Sequence, residues 1–171
     1  MRRVKLDRID RRILKDLQEN GRMTNVDLAS RAGISAPPCL RRVRALEEAG
    51  FIRGYHADLN AEALGFGVTV FAQVGLSSQA EADLCRFEEM VSAWPEVREC
   101  HMLAGETDFL LKIVAADWDA YQRFLTSRLT AGPNVSHVKS ALAIRTCKYA
   151  PGVPLEADEP ADSAARQGAA E

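Results

Sequence analysis

The sequence predicts an α+β fold in two parts, a helical head followed by a mixed body. Three observations carry this. The apolar residues recur at helical spacing between residues 7 and 50 and then switch to strict alternation from residue 68. The body's elements follow the order β-α-β-β-α-β. The charge also divides: residues 1–60 hold 13 Lys and Arg against 8 Asp and Glu, whereas residues 61–171 hold 9 against 16.

The first helix of the head is capped by Asp7, and Ile9, Ile13, Leu14 and Leu17 form its apolar stripe until Asn20-Gly21 ends it. Thr24 caps a second helix, with Asp27 three residues on in capping-box style. Leu28, Ala29 and Ala32 are its inner face, and Gly33 stops it. Ser35 caps a third helix, and Pro37 and Pro38 fall in its first turn, where a missing N–H costs little. Leu40, Val43 and Leu46 are its expected buried stripe, and Gly50 ends it. Phe51 to Asn60 then reads as a short strand, a bend at Gly54 and a second strand or linker.

In the body, Val68, Val70, Ala72, Val74 and Leu76 alternate on one strand face, while Thr69, Phe71 and Gln73 make a second face that is not cleanly polar. Such a sheet needs cover on both sides, by helices on one and a partner on the other. Residues 78–93 form a helix with Ala80, Leu84, Phe87, Val91 and Trp94 inward, ended by Pro95. Strands at 97–103 and 109–114 flank a tight turn, Gly105 to Asp108. Asp117 then caps a helix with Trp118, Tyr121, Leu125 and Leu129 inside, and 135–147 is the last strand. This order is the ferredoxin-like split βαβ arrangement, whose open sheet face dimerisation can cover. Residues 150–171, rich in Ala, Glu and Asp, are expected to be disordered, or a short arm on a neighbouring subunit.

The composition excludes several function classes. No run of about 18 apolar residues is present, so a membrane helix is not expected. The basic first residues lack an apolar segment behind them, so no secretory leader is expected. Cys39, Cys85, Cys100 and Cys147 lack C-x-x-C spacing, which fits a reducing cytoplasm better than a disulfide framework or zinc ribbon. No H-E-x-x-H, P-loop, G-x-G-x-x-G or Ser/His/Asp order occurs. Cys100 and His101 are neighbours on a strand and face opposite sides, so they are not a ligand pair. No enzyme activity, catalytic residue, metal or cofactor is expected.

A basic head on an acidic body points the head at a polyanion. Two short helices joined by a tight glycine turn are the helix-turn-helix pattern. The third helix carries Arg41, Arg42 and Arg44, which can neutralise phosphates or donate to guanine edges, while Ser35 and the small Ala36 permit close approach to a duplex. The residues expected to meet double-stranded DNA are Asn25, Ser35, Ala36, Pro37, Cys39, Arg41, Arg42 and Arg44. The turn Gly105-Glu106-Thr107-Asp108 has the chemistry of an amino-acid pocket. Gly105 lets main-chain amides approach a ligand carboxylate, and Asp108 or Glu106 can accept from its ammonium. An acidic hairpin turn without a ligand is the other reading of the same residues.

Several separated stretches occur together: Leu6-Asp7-Arg8-Ile9-Asp10, Gly21 to Leu28, Pro38 to Arg44, Gly50 to Tyr55, Glu99-Cys100-His101 and Gly105 to Lys112. Over roughly residues 5–150 the chain resembles the Lrp/AsnC (leucine-responsive/asparagine regulator, feast/famine) family of prokaryotic transcription factors. The resemblance implies a winged helix-turn-helix domain at 5–54, a linker at 55–65, a ligand-sensing and oligomerisation domain at 66–149, and a tail at 150–171. It implies a sequence-specific regulator modulated by a small amino acid, leucine-like or other, that acts on amino-acid metabolism or transport. Dimers assembling further, commonly to octamers, and a cytoplasmic, nucleoid-associated location are also implied. The effector would bind near the 105–108 turn, where the family often has Gly-Asp-x-Asp and this chain has Glu106. Met102, Leu103, Ala104, Gly105, Glu106, Thr107 and Asp108, with Gln122 and Arg123 on the facing helix, are its expected contacts. The alternative is a standalone amino-acid sensor that regulates an enzyme by contact, its head serving only for assembly.

Overall fold

The computed structural model of the chain describes residues 5–155. They fall into two units, one made of the chain up to Asp58 and the segment from Tyr149, the other of Leu59–Lys148.

The first unit holds three helices, α1 (Arg8–Glu19), α2 (Asn25–Ala32) and α3 (Ala36–Glu48). A reciprocal capping box starts α1: the Asp10 amide donates to the Asp7 carboxylate at 2.8 Å and the Asp7 amide to Asp10 at 3.1 Å. The Thr24 hydroxyl accepts from the Asp27 amide to start α2, and Gly33 ends it at φ +69°, a left-handed conformation that favours glycine. Ser35 stands at the N-cap of α3 in extended backbone, but its hydroxyl makes no capping bond.

Ile13, Leu28, Ala29, Cys39 and Leu46 are the buried core of this unit. The inward stripe of α3 is therefore Ala36, Cys39, Val43 and Leu46, not the expected one through Leu40, which is 39% exposed. Asp16 is buried as well, and it is held by Arg12 at 2.9 Å and Arg31 at 3.5 Å. No strand forms over residues 51–60, where a short strand and then a second strand or linker were expected, and a 3-10 turn, Glu62–Leu64, precedes the second unit's sheet.

Part of the tail expected to lack structure is ordered against α1. The Gln18 side chain donates to the Val153 carbonyl at 2.8 Å and accepts from its amide at 2.9 Å. The remainder of that tail, residues 156–171, lies outside the described residues.

The second unit is a four-stranded antiparallel sheet in the order β2-β3-β1-β4, with β1 Val68–Leu76, β2 Val97–Met102, β3 Phe109–Ala115 and β4 Val135–Leu142. Helices α4 (Glu81–Ser92) and α5 (Trp118–Phe124) supply its second layer, α5 continuing as a π-helical turn, Leu125–Leu129. Val70, Ala72, Val74 and Leu76 of β1 are buried with Phe109, Leu111 and Ile113 of β3 and with Phe87, Val91, Tyr121, Phe124 and Leu129 of the helical layer. Full burial of each large apolar side chain here contributes about 1.5–3 kcal/mol. This is the α+β, ferredoxin-like order expected from the sequence. Three details differ. Ala80 is an exposed N-cap rather than an inward residue. Trp118 is 43% exposed, its ring tilted against Tyr121 at 5.3 Å. The last strand stops at Leu142, opposite Val70, because β1 offers little more edge to pair with. Phe71, on the sheet face away from the helices, is 39% exposed.

Candidate functional site

The third helix sorts its arginines by direction. Arg41 and Arg44 are exposed and, with Pro37, fall on one face at helical spacing. Arg42 is turned away from them. Its guanidinium reaches Asp7 and Asp10 at 2.7 Å each, tying α3 to the capping box of α1. These carboxylates hold the guanidinium firmly protonated, and the Asp10 amide followed by Arg42 holds the Asp7 carboxyl below its ordinary range.

Two further residues of the expected DNA-contacting set are engaged elsewhere. Cys39 is fully buried in the head's core, and desolvation pushes its thiol above the ordinary range, so it is an apolar packing group. Asn25 bridges the helix-turn-helix: its amide donates to the Ala36 carbonyl at 2.9 Å, and its other side-chain atom, Oδ1, is buried with no partner among the described residues. Ser35 and Pro37 are exposed and Ala36 half-buried at the start of α3. Leu40, assigned to the core by the sequence, joins the exposed face beside Arg44. Its only sequence signal was the competing stripe through Cys39.

In the second unit the 105–108 turn is held at both ends. The Leu103 amide donates to the Asp108 carbonyl at 2.8 Å, and the Asp108 amide donates to Val74 at 3.0 Å. The Asp108 carboxylate accepts from the Leu76 amide at 2.6 Å. Asp108 is thus engaged by β1, while Glu106 is exposed and Thr107 buried. Met102 is 62% and Leu103 39% exposed, apolar surface directly before the turn. Ala104 is exposed, and a side chain built on Gly105 would meet open space. Gln122 and Arg123 are exposed on α5, and neither side chain hydrogen-bonds to the turn.

Sequence reasoning missed the end of β1 that Asp108 grips. Gly75 there lies under the His137 ring of β4, so close that an added Cβ would sit 2.0 Å from its Cε1. The Ser136 hydroxyl donates to the Gly75 carbonyl at 2.8 Å. Among the described residues no group of His, Cys, Asp and Glu could hold a metal ion, and no helix is long and apolar enough to cross a membrane.

The chain matches a family of winged helix-turn-helix DNA-binding domains over residues 6–53 and the Lrp/AsnC ligand binding domain over residues 69–153. It is 55% identical to the leucine-responsive regulatory protein of Rhizobium meliloti, over 86% of this chain and 95% of that protein. It is 43% identical to the Bkd operon transcriptional regulator of Pseudomonas aeruginosa, over 89% and 99%. Among solved structures, a transcriptional regulator of Neisseria meningitidis in complex with L-Met superposes with a TM-score of 0.84 at 38% identity, covering 88% of this chain and 97% of that one. An AsnC family regulator of Agrobacterium tumefaciens gives 0.82 at 39% identity, with the same coverage. With a helix-turn-helix head, a ferredoxin-like body and relatives matched along nearly their whole length, the chain belongs to the Lrp/AsnC family of transcriptional regulators.

Proposed function

We propose that α3 enters the major groove of its target duplex with Ser35, Pro37, Arg41 and Arg44 toward the DNA, while the small Ala36 packs inward at its start. Arg42, Asn25 and Cys39 act behind them as the frame that holds the helix. The observation that carries this is the split between exposed Arg41 and Arg44 and ion-paired Arg42. Leu40 on the outer face supplies an apolar contact of the kind a thymine methyl offers. Dimers present two heads to a pseudo-palindromic site. A mobility-shift titration over a salt series tests the reading. Binding should weaken steeply with salt, and the Arg41→Ala/Arg44→Ala protein should bind weakly with a shallower slope. Unchanged affinity in that variant would refute it.

The effector is a small amino acid, and the exposed segment Met102 to Thr107 is its docking surface. Apolar Met102 and Leu103 face its side chain, and Glu106 accepts from its ammonium. Asp108 shapes the turn rather than touching the ligand. The Neisseria relative, solved with L-Met, supports an amino-acid ligand for this body. Gln122 and Arg123 contribute from α5, and a second subunit completes the site in a dimer that assembles further, to an octamer. The protein works in the cytoplasm, on the nucleoid. Calorimetry against the twenty amino acids at millimolar concentration identifies the effector, and no heat with any of them would refute its existence.

A further inference from the structure

The head carries a second basic surface, away from the outer face of α3. Arg8, Arg11, Arg12 and Lys15 of α1 and Arg31 of α2 line a cleft of about 610 Å³ together with Asp7, and the buried Asp16 pairs with Arg12 and Arg31. The chain from Tyr149 is fastened to the same helix, α1. Val153 is clasped by Gln18 through two hydrogen bonds, and Gly152, at φ +92°, approaches so closely that a Cβ would lie 2.2 Å from the Gln18 Oε1. Leu155 lines an apolar groove with Leu6, Leu14 and Leu17. On α1, Gln18, Leu14 and Arg11 succeed one another along a single stripe, and Lys15 and Arg8 lie on the adjoining one. The clasp therefore holds the chain on α1 one turn from Lys15.

Beyond Leu155 the sequence turns acidic. Glu156, Asp158, Glu159 and Asp162 put four carboxylates into seven residues. Seven extended residues reach roughly 23 Å, and the 12 residues of α1 span roughly 18 Å, so the segment is long enough to run the length of the helix. We propose that the acidic segment 156–162 docks on this basic face of α1 and competes there with nucleic-acid phosphate, holding down sequence-independent binding by the head. The competition rests on the DNA-binding reading above, whereas the docking does not.

The test compares the full chain with a Glu156→Gln/Asp158→Asn/Glu159→Gln/Asp162→Asn variant and with a chain ending at Leu155. Lys15 acetylation by a small activated ester, followed by mass spectrometry without DNA, reads the docking and should be several-fold faster in both variants. Equal rates overturn the proposal. Binding to a random-sequence duplex at low salt should tighten about tenfold in both variants, with a steeper salt dependence. Unchanged affinity and slope overturn the competition. The tightening should vanish in an Arg8→Ala/Lys15→Ala background, and if it persists there, net charge rather than docking is its cause and the proposal fails. If no form binds any duplex, the DNA-binding reading falls and the competition with it, while the Lys15 rates still decide the docking.

Discussion

The Asp108 carboxylate accepts a 2.6 Å hydrogen bond from the main-chain amide of Leu76, joining the turn before β3 to the end of β1. A hydrogen bond to a charged group contributes about 1.5–3 kcal/mol. Asp108→Ala should therefore destabilise the body by about that amount, read as a lower urea midpoint. Glu106→Gln, at an exposed position, should leave the midpoint unchanged and weaken the effector heat in calorimetry. Equal stability loss in the two variants would contradict this division of labour.

Neighbouring arginines of α3 should give opposite phenotypes. Arg41→Ala and Arg44→Ala should each leave thermal stability intact and reduce the salt slope of DNA binding by about one. Arg42→Ala cuts the link from α3 to Asp7 and Asp10. It should lower the head's melting temperature through a loss of about 1 kcal/mol, discounted for the partial exposure of the pair. Melting curves and mobility shifts on the same three proteins check the contrast.

That contrast also marks how far the sequence could be read. The alternation of β1 translated directly into burial because a strand's period of two leaves no choice of face once the core side is known. Capping residues such as Asp7, Thr24 and Gly33 were equally readable, since each acts on backbone groups a few positions away. Arg42 was not separable from Arg41, because its direction is set by carboxylates 32 and 35 residues earlier in the chain. Leu40 has the larger apolar side chain, yet the packing of α3 on α1 and α2 selects the stripe containing Cys39. The clasp of Val153 by Gln18 joins residues 135 apart and has no periodic signature at all. In the 105–108 turn the acidic residues were visible, but which carboxylate β1 engages depends on the sheet pairing.

The capping box makes the head sensitive to acid. The Asp10 amide, and next to it the Arg42 guanidinium, hold the Asp7 carboxyl below its ordinary 3.8. A carboxyl depressed in the folded state contributes stability that is fully present above the unfolded value and is lost as pH falls through the folded one. The head's melting temperature should therefore fall below pH 3.8. Asp7→Asn should melt lower at neutral pH and lose less on acidification, as followed by circular dichroism.

Tyr55 should mark the alkaline limit of the same unit. Its phenol donates to the Glu47 carboxylate at 2.9 Å, and burial, followed by that carboxylate, pushes it up to about 12 from an ordinary 10.0. Here the neutral form is favoured by folding, so the contribution is present below the ordinary value and lost as pH rises through the raised one. In an ultraviolet titration Tyr55 should ionise late, and Glu47→Gln should bring it earlier without changing the acid limb.

In the body, Tyr121 is fully buried and its hydroxyl shares a hydrogen bond with Ser140 of β4, fastening α5 to the sheet's edge strand. Ser140→Ala leaves that hydroxyl without its partner and should cost about 1 kcal/mol, because a buried polar group is more expensive unsatisfied than absent. Tyr121→Phe with Ser140→Ala should recover most of the loss, giving a clear coupling energy in a double-mutant cycle. Burial already raises the Tyr121 phenol, and the Ser140 bond opposes that rise, so Ser140→Ala should also push its ionisation higher. Additive losses in urea, with no change in the titration, would show that α5 is held by packing alone.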